Sequence, residues 1–411
     1  MAESEVSVWA ASGAMALTGR PDGPPLVAPA GLVSAVASAA ALVAAKTAHF
    51  GKAVYLDGPA LLGERAALAG MTRQGAVSVG GAARFERAAD GWVVLNLPRH
   101  DDIAALPALL EAEVRPQDWR SVSALIASRS AAELVDRGRL LGLAVARPDE
   151  RQPSAVPGRE LARGSARSAG GQPLVVDLTS LWAGPLAGSI LAAAGARVIK
   201  VEGRNRLDGA RLGPAPFFDL MNSGKEMLAV DFVDGDDIRL LRRIIAAADL
   251  VIEASRPRAV EQIGIYPTMV VADSSTSWLS ITGHGRTDEP NRVGFGDDAA
   301  VAGGLWIDGP LGPAFVADAV ADPLTGLVAA ALGAELLAAD RAAVVETPLS
   351  QVASWASRAG ASASVQTGAD GGWQVVAPEG QVSVAAPRAR VPTEAAAPFD
   401  AHGSALRNEF A

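Results

Sequence analysis

Between residues 173 and 282 short apolar runs alternate with segments of helical period, and this alternation limits the folds open to the chain more than any other feature. PLVVDL (173–178), ARVIKVE (196–202), MLAVDF (227–232), LVIEA (250–254), TMVVAD (268–273) and WLSIT (278–282) read as buried strands. LAGSILAAAG (186–195) and DGDDIRLLRRIIAAAD (234–249) read as helices, the second with acids in its first turn, where a helix N-terminus favours negative charge. Strand–helix–strand units close by right-handed crossovers, so the expectation is α/β: a large domain with a parallel sheet flanked by helices.

An internal repeat adds to this. WAASGAMALTGRPDGPPL (9–26) resembles AAVAGGLWIDGPLGPAF (299–315), and each leads into a long alanine-rich helix, a strand (53–57 and 342–347) and a further helix. After the first copy, RFERAADGWVVLNLP (84–98) reads as an antiparallel pair turning at Asp90-Gly91, and two helical segments follow. This predicts a smaller α/β domain. RQPSAVPGRELARGSARSAGG (151–171) has no apolar period and reads as a linker. The expected organisation is a degenerate repeat unit at 1–65 packed on the large domain, a small domain at 66–150, the linker at 151–171, and the large domain at 172–411. Leu26–Ala45 has the length of a membrane span, but its alanine content, Pro29 and Gly31 favour a buried core helix.

Several chemistries are excluded. The chain has no cysteine and four histidines (His49, His100, His284, His402), which removes thiolate chemistry and argues against a metal centre. A net charge of -9 argues against nucleic-acid binding. MAESEVSVWAASG lacks a basic region before an apolar run, so a cytoplasmic location is expected.

VVDLTSLWAGPLAGSILAAAGARVIKVE (175–202) is similar to the opening of the family III CoA-transferases. The resemblance continues in the same order through FFDLMNSGKEMLAVDF (217–232), DLVIEASRPRAVEQIG (249–264), LSITGHG (279–285) and VADPLTGLVAAALGAELL (320–337). It implies CoA transfer from an acyl-CoA to a small carboxylic acid, with the CoA thioester as substrate, no permanently bound cofactor, and a homodimer. The family's catalytic aspartate matches Asp322 in Ala321-Asp322-Pro323, which would carry the acyl group as a mixed anhydride. Asp before Pro is also a common helix cap, and a helix N-terminus would favour the ionised carboxylate. Asp318 is the local competitor. The corresponding position in the first copy is Ser34, so one active centre per chain is expected.

For substrate binding, the turn Trp182-Ala183-Gly184-Pro185 would let backbone approach the ligand. Lys200, Glu202, Arg204, Arg206, Arg211 and Lys225 follow strand ends and could meet the phosphates of CoA. Gly80-Gly81 reads as a hairpin loop or a cover for the site. Ala254 replaces an asparagine that contacts CoA in the family, and the family order is rearranged, as in a fused and partly deleted tandem. Two alternatives remain. One is an α-methylacyl-CoA racemase, whose base would fall at Phe295 or Gly296. The other is a non-catalytic acyl-CoA-binding protein. His284 and His402 are assigned no catalytic role.

Overall fold

The computed structural model describes residues 4–167, 170–309, 311–357, 363–368 and 371–411. Strands β1 (Ala83–Arg87), β2 (Trp92–Asn96) and β3 (Ala144–Ala146) form a small antiparallel sheet. Its apolar face packs on the helices Leu106–Leu110, Trp119–Ile126 and Ala131–Leu141 through Leu95, Leu109, Val122, Ile126 and Leu134. The pair meets at Asp90-Gly91, where the Ala88 N–H donates to the Gly91 carbonyl, as the turn residues require.

The large sheet has seven strands: β4 (Arg159–Ala166), β5 (Leu174–Leu178), β6 (Arg197–Gly203), β7 (Glu226–Val230), β8 (Leu250–Glu253) and β9 (Ser277–Ser280), with β12 (Arg341–Glu346). Between β9 and β12 in sequence lies a two-stranded hairpin, β10 (Trp306–Gly309) and β11 (Gly312–Phe315). The spatial order is β4-β12-β9-β8-β5-β6-β7; all neighbours are parallel except β4, which is antiparallel to β12. The fold class is therefore as expected, with one antiparallel edge.

That edge corrects one reading. The 151–171 segment holds a strand, Arg159–Ala166. An edge strand is held by backbone hydrogen bonds and buries little side-chain surface, so its sequence carries no apolar period. TMVVAD also differs: Pro267–Asp273 is a helix packed over β4 and β12, started by Pro267 in its first turn. Residues 53–57 form no strand, although their counterpart is β12. The Lys52 N–H donates to the Ala194 carbonyl, and Asp57 caps the next helix by accepting from the Ala60 N–H at 3.2 Å.

The two repeat helices, Leu32–Thr47 and Ala321–Ala338, pack side by side, and the second also packs on Ala183–Ala194. All three contribute to one apolar core. At that second crossing a Cβ on Gly326 would stand 2.9 Å from the Ala183 carbonyl oxygen, so the glycine lets the helices touch. Ala321–Ala338 is long and apolar enough to cross a membrane by length and composition, and 78% of it is buried inside the fold.

The outer edge of β7 is covered by the C-terminal segment. The Met227 N–H donates to His402 Nδ1, the Ala229 N–H to Asp400 Oδ1, and the His402 N–H to the Met227 carbonyl. Side chains thus satisfy a strand edge that would otherwise invite another strand.

Candidate active site

In the large sheet β5 is flanked by β8 on one side and β6 on the other, so chain order reverses beside it. Open parallel sheets bind ligands beyond the carboxyl ends of their strands at such a point. The segment that leaves β5 carries Trp182, the N-cap of the Ala183–Ala194 helix. Leu181 before it is held at φ 73°.

Arg65 lies over the Trp182 ring at 5.1 Å from its centre, and Trp182 meets Phe217 edge-on at 5.1 Å. The Arg65 Nε donates to Asp318 Oδ2 at 2.9 Å, and Nη2 donates to Oδ1 in a second, short bond. Asp318 is fully buried, and its neighbours Ala317 (φ 52°) and Ala319 (φ 44°) are both left-handed. Burial works against the Arg65 charge, but Asp318 outweighs it and keeps the guanidinium firmly protonated.

Asp322 sits in the first turn of Ala321–Ala338 and is partly exposed. It does not cap the helix: the N-cap is Val320, no side chain makes the cap bond, and the carboxylate accepts no hydrogen bond from a described residue. A Cβ on Gly296 would stand 2.4 Å from Asp322 Oδ2 and 2.5 Å from the Ala319 carbonyl oxygen. The glycine therefore forms the wall on which the carboxylate rests. In the first copy the equivalent helix end is closed, because Glu5 accepts from the Gly31 N–H and from both the N–H and hydroxyl of Ser34.

The charge state of Asp322 differs from the helix-terminus expectation. Burial pushes it up to about 7; Arg65 opposes this, and Asp297, Asp298 and Asp318 reinforce it. Asp297 is also pushed up to about 7, by burial first and then by Asp318. Partial removal from water outweighs the helix terminus here. Asp298 accepts from Asn96 Nδ2 of the small sheet at 2.8 Å and from the Phe295 N–H. Its other oxygen lies 3.9 Å from His284 Nε2, whose ring fills the space beside Gly294; burial holds this imidazole below its usual range.

The remaining expected site residues divide into two groups. Lys200, Glu202 and Lys225 are interior. Lys200 Nζ donates to the Thr179 carbonyl at 2.9 Å and pairs with Asp208 at 2.9 Å. Lys225 Nζ reaches Asp177 at 2.7 Å, the Pro185 carbonyl at 2.9 Å and Asn222 at 3.1 Å. Glu202 accepts from Arg211 at 2.6 Å and from the Asp208 N–H at 2.9 Å. Both ammonium groups are wholly enclosed and fully engaged, so their work is to hold the β5 loop and the Ala183–Ala194 helix on the sheet. Gly184 serves the same packing, since a Cβ there would stand 2.3 Å from the Thr179 side chain; Ala183 and Pro185 are buried beside it. Arg204 is exposed, 3.4 Å from Asp237.

Sequence reasoning named Arg206 but missed the arginines it stands with. Arg99 from the small domain donates to the Gly142 carbonyl at 3.1 Å, and a Cβ on Gly142 would stand 3.8 Å from Arg256 Nη1. Burial and then the charges of Arg258, Arg99 and Arg206 hold Arg256 below its ordinary value. Arg206, Arg256 and Arg258 have no side-chain acceptor among the described residues. Arg99 in turn lies 5.8 Å from the Phe295 ring, which directly precedes Gly296. Arg99 is paired with Asp102 at 2.6 Å, so the unpaired charge of the group lies on Arg206, Arg256 and Arg258. Its members come from three separate stretches, so spacing gave no signal for the group. Gly80 closes a tight turn against Arg65: the Gly81 N–H donates to the Ser78 carbonyl at 2.8 Å, and a Cβ on Gly80 would stand 3.1 Å from Arg65 Nη2.

The sequence profile described as CoA-transferase family III matches residues 172–387, more than half of the chain. Similar curated proteins include a succinyl-CoA:glutarate CoA-transferase of Mus musculus, 32% identical over 167 residues that make up 38% of this chain and 38% of that protein. An acetyl-CoA:oxalate CoA-transferase of Acetobacter aceti is 31% identical over 121 residues, 28% of this chain and 31% of that protein. A solved CAIB/BAIF family protein from Brucella suis is 27% identical with a TM-score of 0.45, covering 50% of this chain and 65% of that one. The chain matches about a third of the length of these curated relatives. The chain belongs to CoA-transferase family III.

Proposed function

We propose that the chain moves CoA from an acyl-CoA to a carboxylic acid through Asp322. The observation that carries this is an aspartate in the first turn of a buried helix whose carboxylate is partly exposed, takes no cap bond and rests on a glycine wall. The ionised Asp322 oxygen attacks the thioester carbonyl, forming a mixed anhydride and releasing CoA thiolate. The thiolate attacks the aspartyl carbonyl, giving an aspartyl-CoA thioester and the first free acid. The incoming carboxylate attacks that thioester, and the thiolate then takes the new acyl group, restoring the Asp322 carboxylate. Each step exchanges one oxygen or sulfur bond at one carbonyl, and no net proton is consumed.

Gly296 favours transfer over racemisation. Proton abstraction needs a base opposite Asp322, and Gly296 places no side chain there. Phe295 carries no base, and His284 is turned to Asp298. The arginines Arg206, Arg256 and Arg258 are suited to the phosphates of CoA, because Arg forks match phosphate oxygens and these charges repel one another until an anion arrives. The acceptor is a small carboxylic acid, the class named for the relatives above, and the working form is a cytoplasmic homodimer. Incubation with succinyl-CoA and hydroxylamine tests the assignment. A hydroxamate at residue 322 by mass spectrometry supports it; α-deuteration from heavy water with no adduct would replace it with racemase chemistry. Neither product would leave a binding protein.

A further inference from the structure

We infer that Arg65 is the residue that receives the free carboxylate entering or leaving beside acylated Asp322. This rests on the transferase reading above and assigns its acid-recognition site. Arg65 belongs to the N-terminal part of the chain, far from Asp322 in sequence. It is fixed from three sides: Asp318 takes its Nε and Nη2, the Trp182 ring lies under its plane, and Gly80 stands against Nη2. The preceding residue, Glu64, is buried and gripped by Arg390 at 2.7 and 2.9 Å, which anchors the helix that carries it.

One edge of the fork is left over. Nη1 donates to no described residue, and the side chain keeps 27% of its surface exposed. A guanidinium with two of its five N–H donors committed and its Nη1 edge free is pre-organised for a second carboxylate at little further entropic cost. The titratable groups that face it are Asp297, Asp318 and Asp322, so it is the positive charge within an acidic group.

The charge balance orders the events. While Asp322 is ionised, an additional carboxylate would be repelled. Once Asp322 is an anhydride or a thioester it carries no charge, and Arg65 becomes the attraction for an anionic acid. The free acid therefore binds at the stage of the cycle at which it reacts.

Exchange of labelled succinate into succinyl-CoA tests this, because donor and acceptor share one acyl group. Removing Arg65 alone would strand buried Asp318, so the variants are Arg65→Lys, which keeps that charge paired, and Arg65→Met with Asp318→Asn, which removes one charge of each sign. The expected result is a KM for succinate that rises at least tenfold more than the KM for succinyl-CoA in the double variant, with a smaller rise in Arg65→Lys. Hydroxylamine should still trap residue 322 in both. Equal changes in the two KM values, or loss of trapping in step with exchange, would overturn the inference and assign Arg65 to the charge of Asp322 instead. If the double variant does not fold, an unaltered succinate KM in Arg65→Lys overturns it alone. A wild-type protein that neither traps nor exchanges refutes the transferase reading itself, a distinct outcome.

Discussion

Asp322 Oδ2 rests against the α-carbon of Gly296, where even a methyl group would stand 2.4 Å from it. The obstacle behind that glycine includes the Ala319 carbonyl at 2.5 Å, and backbone cannot step aside as a flexible side chain can. Gly296→Ala should therefore turn the proposed nucleophile out of line. A displacement of about 1 Å costs on the order of 100-fold in rate. Hydroxylamine trapping at residue 322 should fall by that factor, and trapping equal to wild type would show that the wall is not needed.

The raised proton affinity of Asp322 predicts an acid limb. In the proposed reaction Asp322 must be ionised to attack, so turnover should rise with pH and level off above about 7. Asp297 titrates in the same range and adds to the repulsion, so Asp297→Asn should move the limb to lower pH. A rate profile measured from pH 5 to 9 decides this.

Stability should follow the opposite slope. Folding raises both acids from the usual value of 3.8 to about 7, so the folded state binds more protons than the unfolded state across that interval. Their contribution is favourable below about 4 and is lost as pH rises toward 7. Asp322→Asn should accordingly raise the unfolding free energy from urea titration at pH 8 by about 1–3 kcal/mol and leave it nearly unchanged at pH 4. A gain larger at pH 4 than at pH 8 would contradict the assignment.

How far the sequence disclosed this site depends on the range of the interaction. Asp322 was legible because its neighbours ADPLTG are local, and β5 to β9 were legible because buried parallel strands are continuously apolar. Arg65, Asp297 and the Arg99–Arg256 approach were not, since each meets its partner only after the chain folds. Lys200 and Lys225 misled for the complementary reason. A lysine after a strand end looks the same in sequence whether its ammonium faces water or an interior aspartate. The strand at 159–166 was hidden because an edge is built from peptide groups, and the 267–273 helix because its Val270-Val271 pair matches strand preference while packing and Pro267 decide the outcome.

The interior pair predicts a structural rather than catalytic phenotype. Asp177 is fully enclosed; burial alone would raise it, but Lys225 and then Lys200 bring it down to about 2. Lys225→Met would leave that carboxylate unpaired, costing roughly 3–5 kcal/mol. Chemical denaturation should show this loss, while Lys225→Met with Asp177→Leu should recover much of it. A Lys225→Met protein of wild-type stability but altered KM for acyl-CoA would restore Lys225 to the ligand site.

The arginine approach is tested with a shortened substrate. Arg256→Ala and Arg258→Ala should each raise the KM for acyl-CoA about 10-fold, from one lost charged hydrogen bond of roughly 1.5 kcal/mol. The corresponding acyl-pantetheine, which lacks the phosphates, should not distinguish these variants from wild type. If both substrates suffer equally, the arginines act on the fold and not on phosphate.

The left-handed alanines on either side of Asp318 have a corollary. Each holds a methyl group where an L-residue is strained by roughly 1–2 kcal/mol, and glycine would relieve that strain at once. Glycine at either position would exchange a strained residue for a relaxed one. The same change would free the backbone on either side of the buried aspartate, so relief of strain is set against a fixed placement of Asp318 within three consecutive residues.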